Sequence, residues 1–591
     1  MKRSKSQVMF NHLPGQVFRH ENGIIAKVSR VATEPSYEIN ATLVYDSLSR
    51  ELERWTNQNG YRDPTTYADR YTLVEPVDEV VFDLWPLNMR CKRCGVIRIF
   101  NTSKDIPSSP RCQHKGCGGH LEQLPFLQVH QCGNLQPLLI QRCNLHGFDA
   151  LVLDDPGNFA DAQLRCLECG VPVKGLGYRG CTGCNMPGDR YMRSLPIRAP
   201  GRFFTQYFPL VTLKGATLGR LNREAAGPTV VLASYLDDPS DIDADLDNAA
   251  HVRKGVQLTP DQIDQLREAV KDLPPELQAA QAAALTATGD DKWVEIESNL
   301  GQDVSAQLGG NQRLQERAMI FAGAGDLRVR RLEDFEEVAR KLGQQATVHR
   351  MQAEQRALSD AGFARVLVVE NFPIALVAYG WTRLTNKETE ARLNAFPPLR
   401  NEKTPLYVST SNTEAVFLEL NPVRVCAWLQ DNGLLAAAPA NPREARLCVL
   451  REMAALTPAA TAARNLCHTV SHALIRNLGE LAGFGEDTMA EYLIPEALTI
   501  GLYANVHQEF TLGALVSLVE HHLSTWLKEA MRGTEICTWD PRCSEHDGAC
   551  ANCLHLAFGC EHRNQDLDRA LLYGAADPTA RRTAVATGYW A

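Results

Sequence analysis

Apolar residues recur along the chain in two different periods, and each period predicts its own kind of element. Val17-Phe18 and Ile24-Ile25-Ala26-Lys27-Val28 follow the Pro14-Gly15 turn and predict a short hairpin. Leu43, Leu48 and Leu52 fall on one face of a helix expected over residues 40–60, with Trp55 and Tyr61 packed beneath it. Residues 77–84 read as a strand, and Val96-Ile97-Arg98-Ile99-Phe100 is β-prone. Thr259-Pro260, an N-cap followed by a first-turn proline, opens a helical stretch to about residue 361. Gly309-Gly310 marks a joint in it, and residues 335–342 and 344–358 carry its clearest periodicity. Val366-Leu367-Val368-Val369 begins a second α/β part that continues from Pro373 through Arg383. A turn is expected at Ser411-Asn412-Thr413, then a strand over 414–420. A helix over 464–479, a strand over 498–503 and a helix starting near Phe510 complete the pattern.

The cysteines change this picture most. There are 18, and many pair closely. Cys91-x2-Cys94 and Cys112-x4-Cys117, separated by the β-prone stretch, read as a zinc ribbon, because two tight turns deliver four soft ligands to a tetrahedral ion. Cys166-x2-Cys169 and Cys181-x2-Cys184, in a glycine-rich context, read as a second site. Between them lie Cys132, Cys143 and His146. Cys143-x2-His146 forms a half-site that Cys132 or His130 would complete, or these residues exchange partners with the neighbouring knuckles in a cross-braced arrangement. Near the end of the sequence, Cys543, Cys550, Cys553 and Cys560 form a third expected site, with Cys537 as a fifth candidate ligand. Two to four structural zinc ions are expected in all.

At 591 residues the chain is too long for one core. It reads as a mixed α/β (α+β) multidomain protein: an N-terminal α/β segment over 1–90, a zinc-ribbon region over 91–235, a helical insertion over 236–365, and a C-terminal domain with a cysteine-rich knuckle over 366–591. The 44% hydrophobic and 22% charged composition is ordinary for a globular protein. Formal charge is −9, so any nucleic-acid contact must come from a local basic surface. Residues 165–224 offer one, with Arg179, Arg190, Arg193, Arg198 and Arg202 interleaved with Tyr178, Tyr191, Phe203, Phe204, Tyr207 and Phe208. Guanidinium groups for phosphates and rings for base stacking suit single strands. The acidic run 237–247 lacks the glycine and glutamate of an EF-hand loop and reads as a solvated linker.

The N-terminus shows no apolar signal core. No apolar run reaches the roughly 18 residues of a membrane helix. The best stretch, 366–381, is broken by Glu370 and Asn371. A cytoplasmic, reducing location is expected. No GxxxxGK[ST] phosphate loop, GxSxG elbow or carboxylate triad with a lysine is present, so neither a motor nor a catalytic site is expected. His468 and His472, one helical turn apart, could share a metal as the centre of a nuclease or hydrolase. Thr469 replaces the glutamate that an HExxH peptidase needs, and such a pair is equally at home hydrogen-bonded in a helix interface.

The segments Leu466-Cys467-His468-Thr469-Val470-Ser471-His472-Ala473-Leu474-Ile475, Thr511-Leu512-Gly513, Trp539-Asp540-Pro541-x-Cys543, Ala549-Cys550-Ala551-Asn552-Cys553 and Leu567-Asp568-Arg569-Ala570-Leu571 resemble a cysteine-rich zinc-binding domain of helicase-associated proteins. With Tyr379-Gly380-Trp381-Thr382-Arg383 and Thr413-Glu414-Ala415-Val416-Phe417, the chain resembles the DrmB-like family of DISARM anti-phage systems, best over 366–575. The resemblance implies zinc on Cys543, Cys550, Cys553 and Cys560. It also implies a non-motor subunit that binds a DrmA-like superfamily-2 helicase and helps it engage foreign DNA. A pure interaction scaffold without DNA contact is the further alternative.

Overall fold

The computed structural model describes all residues except 21, 38, 155–161, 175, 183, 185, 187–189, 198, 200–201, 238–240, 255–291, 484–487, 505–512, 546–547, 557–558, 563 and 576–584. The protein is mixed α/β and multidomain. It forms two compact units, each assembled from separate stretches of chain: Met1–Thr212 with Ile374–Ser411, and Leu213–Pro373 with Asn412–Ala591. Sequence suggests four consecutive parts instead. The difference arises because the strands Phe363–Thr382 and Thr404–Leu420 each give residues to both units.

In the first unit the hairpin forms as expected, with Val17 opposite Lys27 and Arg19 opposite Ile25. Its long arm, Ile25–Pro35, pairs antiparallel with Tyr71–Leu84, a longer strand than the 77–84 expected. Residues 404–407 run parallel to Tyr71–Leu84, and Phe204–Val211 lies antiparallel to residues 374–382. The helix expected over 40–60 spans only Ala41–Leu52, with Asn57–Asn59 already a strand; Asn40 caps it, its side chain accepting from the Thr42 amide. It buries Val44, Leu48 and Leu52 against Trp55, Phe208 and Leu406, whereas Leu43 is only half-buried. Three small three-stranded sheets complete this unit. One of them joins Asn88–Cys91 to Ile97–Ile99 and Leu121–Gln123.

The second unit is helix-rich. The Thr259-Pro260 helix start lies outside the described residues, but helices do follow as Lys292–Leu300, Gln302–Gly309, Gln312–Ala322, Leu332–Lys341 and Gln345–Asp360. The helix start near Phe510 also lies outside them, and a helix is described over Ala514–His521. Two corrections come from backbone continuity and charge. Ser411-Asn412-Thr413 is not a turn, since the strand Thr404–Leu420 runs straight through it. The acidic run is helical from Ile242 to Lys254: Asp241 accepts from the Asp243 and Ala244 amides at 3.0 and 3.2 Å, and Arg220 binds Asp243 at 2.8 Å and Asp247 at 2.6 Å, beside Glu224 at 2.6 Å.

At the centre of this unit lies the helix Pro458–Arg476. Thr457 caps it by accepting from the Ala460 amide, and Pro458 occupies its first turn, where no amide donor is needed. Pro458 and Thr461 are exposed in its first turns, but every residue from Leu466 to Ile475 is buried, so its second half is covered on every side. The Trp526 indole, wholly buried, donates to its Leu474 carbonyl at 3.0 Å. Thr499–Ala504 pairs with Met489–Ile494 on one side and with residues 415–419 on the other. Among the described residues no helix is long and apolar enough to cross a membrane.

Candidate metal centres

Cys91 ends its strand, and the chain turns at once so that Gly95 donates to the Cys91 carbonyl at 2.9 Å. Gly95 takes a positive φ of 75°, which glycine adopts without penalty. A second knuckle returns Cys112 to the Gly119 carbonyl at 2.8 Å. Gly119 must stay bare, since a Cβ there would lie 2.7 Å from the Cys91 sulfur. These turns bring Cys91 within 3.8 Å of Cys117 and Cys94 within 3.6 Å of Cys112. A tetrahedron with metal–sulfur bonds of about 2.3 Å has edges of about 3.8 Å. A disulfide would need about 2.05 Å. The four sulfurs therefore outline an ion-sized cage.

The protons on these sulfurs point the same way. Burial raises the Cys91 thiol, but amide donors from Cys94 and Arg93 outweigh it and bring it down to about 7. Burial pushes Cys94 up to about 12. Left to themselves the sulfurs cannot all ionise together, and a divalent cation removes that conflict by displacing the protons.

The next six cysteines are grouped by space and not by spacing. The CxxC pairs at 166–169 and 181–184 do not face each other. Cys166 and Cys169 join Cys143 and His146, with Cys143 3.8 Å from Cys169 and the Cys166 sulfur 3.5 Å from His146 Nδ1. Cys181 and Cys184 join His130 and Cys132, with Cys132 3.6 Å from Cys181 and Cys184 3.6 Å from His130 Nδ1. The exchange of partners left open by the sequence is the arrangement found. Its cause is strand pairing: Leu151–Asp154 lies antiparallel to Gln163–Cys166, which brings the 143–146 half-site to Cys166. The Cys181 amide meets the Arg190 carbonyl at 2.6 Å in a different loop.

The C-terminal cluster also differs from its expected composition. Cys537, Cys543, Cys550 and Cys553 come together, at 3.5 Å between Cys537 and Cys550 and 3.8 Å between Cys543 and Cys553. Cys560 is not part of it, and Cys537 takes its place. The motif residues around it hold the loop. Asp540 accepts from the Cys537 amide at 2.8 Å and the Ser544 amide at 3.1 Å, and it receives the Arg569 guanidinium. Cys560 instead faces His468, His472 and Glu491. Sequence reading missed Glu491. Its signal is a lone carboxylate in the otherwise apolar strand Met489–Ile494, every residue of which is buried.

The basic stretch divides sharply. Arg165 pairs with Asp154 and Arg220 with its three acids, so both are committed to the fold. Arg202 turns inward and donates to the Ile197 carbonyl. Arg198 lies outside the described residues. Arg190 and Arg193 are exposed and Arg179 is half-buried. Of the aromatics, Phe208 is buried, Phe203 stacks on Trp381 and Tyr207 donates to the Met9 carbonyl at 2.8 Å. Tyr178 and Tyr191 are exposed at 63% and 47%, with ring centroids 4.5 Å apart. They sit together because Gly180 and Tyr191 form an antiparallel bridge, reinforced by the Met192 amide on the Arg179 carbonyl at 2.9 Å.

A family model described as a domain of unknown function (DUF8724) matches residues 4–195, less than half of the chain. That span contains the three N-terminal clusters. No curated protein matches the chain.

Proposed function

We propose that this protein is a zinc-stabilised, non-motor subunit that handles DNA beside a helicase, of the kind that DrmB-like proteins provide to a DrmA-like superfamily-2 helicase in DISARM-type anti-phage defence. Zinc is the ion of choice for sets of four cysteines, or three cysteines with one histidine, in tetrahedral array. Reduced thiols at all 18 cysteines suit the cytoplasm, where disulfides are rare. The observation that carries the DNA reading is the exposed Tyr178/Tyr191 pair, flanked by Arg190 and Arg193 on the ribbon that Cys181 anchors. Two neighbouring exposed rings give bases a sequence-tolerant platform, and the arginines meet the backbone phosphates. The motif around His468, Asp540 and Cys550 carries the link to a helicase.

The test pairs the full chain with its helicase and measures single-stranded DNA affinity against salt. Arg190→Glu with Arg193→Glu is expected to flatten the log–log salt slope by about 0.7 for each phosphate that is no longer neutralised. Tyr178→Ala with Tyr191→Ala is expected to weaken binding by on the order of 1–3 kcal/mol per stacked base. Unchanged affinity and slope in both variants, with the helicase still co-purifying, would leave a protein scaffold as the function.

A further inference from the structure

Cys560 and the three residues gathered around it do not belong to any cysteine knuckle. His468 and His472 point from one face of the buried helix Pro458–Arg476, Glu491 from the middle of a buried strand, and Cys560 from the loop beyond the C-terminal cluster. The His468 Nε2 lies 3.2 Å from the Cys560 sulfur and 3.4 Å from Glu491 Oε1. The His472 Nε2 lies 3.6 Å from the same carboxylate oxygen. For bonds of about 2.0–2.1 Å to nitrogen or oxygen and about 2.3 Å to sulfur, tetrahedral edges come to about 3.3–3.6 Å.

Hydrogen bonding around the group turns its electron pairs inward. The His472 Nδ1 is 2.7 Å from the Leu554 carbonyl, which fixes the ring proton there and leaves the Nε2 lone pair facing Glu491. That Nε2 is wholly buried and has no hydrogen-bond partner. Glu491 is held from outside, its Oε2 by the Ser471 hydroxyl and its Oε1 by the Glu561 amide at 2.9 Å. The Cys560 sulfur accepts from the Asn564 amide at 3.1 Å. An imidazole lone pair aimed at a carboxylate oxygen in a dry interior is repulsive unless a cation lies between them. Outer hydrogen bonds that orient each ligand are the usual surroundings of a bound metal.

We infer that His468, His472, Glu491 and Cys560 hold a metal ion of their own, a borderline divalent cation of the zinc class, in a closed structural site. Four protein atoms complete the tetrahedron, so no position is left for an activated water, and the site serves as a clasp. It ties the central helix and the strand Met489–Ile494, which follows it closely in the chain, to the distant C-terminal loop that carries Cys560. This reading does not depend on a helicase or on DNA.

The experiment is zinc analysis by mass spectrometry on the full-length chain purified without chelator, wild type beside Cys560→Ala and His472→Ala, each taken from its monodisperse fraction. Loss of one equivalent in either variant, with the remaining zinc retained, is the expected result. Equal zinc in wild type and both variants overturns the inference, whatever the total. If neither variant yields folded protein, the wild type alone decides: five equivalents support the site, and four or fewer overturn it. The Tyr178 and Arg190 variants report on the DNA reading separately, so either can fail without the other.

Discussion

Arg317 donates to Glu419 at 2.6 Å in the second unit, where the two side chains are 1% and 0% exposed. The second oxygen of Glu419 receives Arg446 at 2.8 Å. The Arg317 guanidinium also lies 4.1 Å over the Phe321 ring and 4.7 Å over Tyr235. One carboxylate thus holds two cations with almost no water to share the charge. Glu419→Gln keeps the shape and removes the balance. It is expected to cost about 3–5 kcal/mol, the usual penalty for leaving a buried charge uncompensated. Urea denaturation at neutral pH checks this, and a midpoint within error of wild type would refute it.

The same carboxylate gives the stability an acid limb. Burial alone would raise the Glu419 carboxyl, but the Arg317 and Arg446 guanidinium groups outweigh it and hold it below the usual range. A group depressed in the folded state contributes fully above its unfolded value of about 4.3. That contribution fades as pH falls below there toward the folded value. Denaturation midpoints taken from pH 6 downwards are therefore expected to drop more steeply for wild type than for Glu419→Gln. Parallel curves would remove Glu419 as the source.

The partition of the N-terminal cysteines can be read by counting ions. Cys169 and Cys181 belong to different clusters. Cys169→Ser with Cys181→Ser is expected to lose two equivalents of zinc, where one shared site of the four CxxC cysteines would lose a single equivalent. Cys143→Ser added to Cys169→Ser is expected to lose no more than Cys169→Ser alone. The measurement is metal content per folded chain.

That partition shows where sequence stopped being informative. Spacing marks Cys166-x2-Cys169 as a half-site but carries no information about its partner, because the partner is chosen by the pairing of Leu151–Asp154 with Gln163–Cys166. The exchange of Cys560 for Cys537 has the same origin. Cys560 is nearer in sequence to Cys550-x2-Cys553 than Cys537 is, yet Asp540, held by Arg569, accepts from the Cys537 amide and draws that turn inward. Local elements were more legible. The hairpin after Gly15 follows from turn residues, and the helix after Asn40 from periodicity, although it stops at Leu52 and turns Val44 rather than Leu43 to the core. The acidic run is misleading in sequence because Arg220, which pairs with two of its aspartates, lies about twenty-five residues away. Glu491 was invisible for a related reason, since a single carboxylate in an apolar strand declares its purpose only when two histidines and a cysteine stand around it.

Arg383, from the Tyr379-Gly380-Trp381-Thr382-Arg383 segment, secures the first unit in a way that its sequence context does not reveal. Its guanidinium donates to the carbonyls of Gly133 at 3.1 Å and Gly15 at 2.9 Å, and also to that of Arg202. It lies 4.8 Å over the Trp381 ring and 5.2 Å over Phe203. Three loops distant in sequence are thereby pinned by one planar group, beside a cavity of about 590 Å³ lined also by Lys27 and Asp83. Lysine has a single compact head that cannot span three carbonyls or stack as a plane. Arg383→Lys is therefore expected to destabilise nearly as much as Arg383→Ala, each by on the order of 3 kcal/mol as buried carbonyls lose their donor. Hydrogen exchange should locate the loss at the amides around Gly15, Gly133 and Arg202. Wild-type stability in Arg383→Lys would show that charge alone suffices there, and that the fork geometry does not matter.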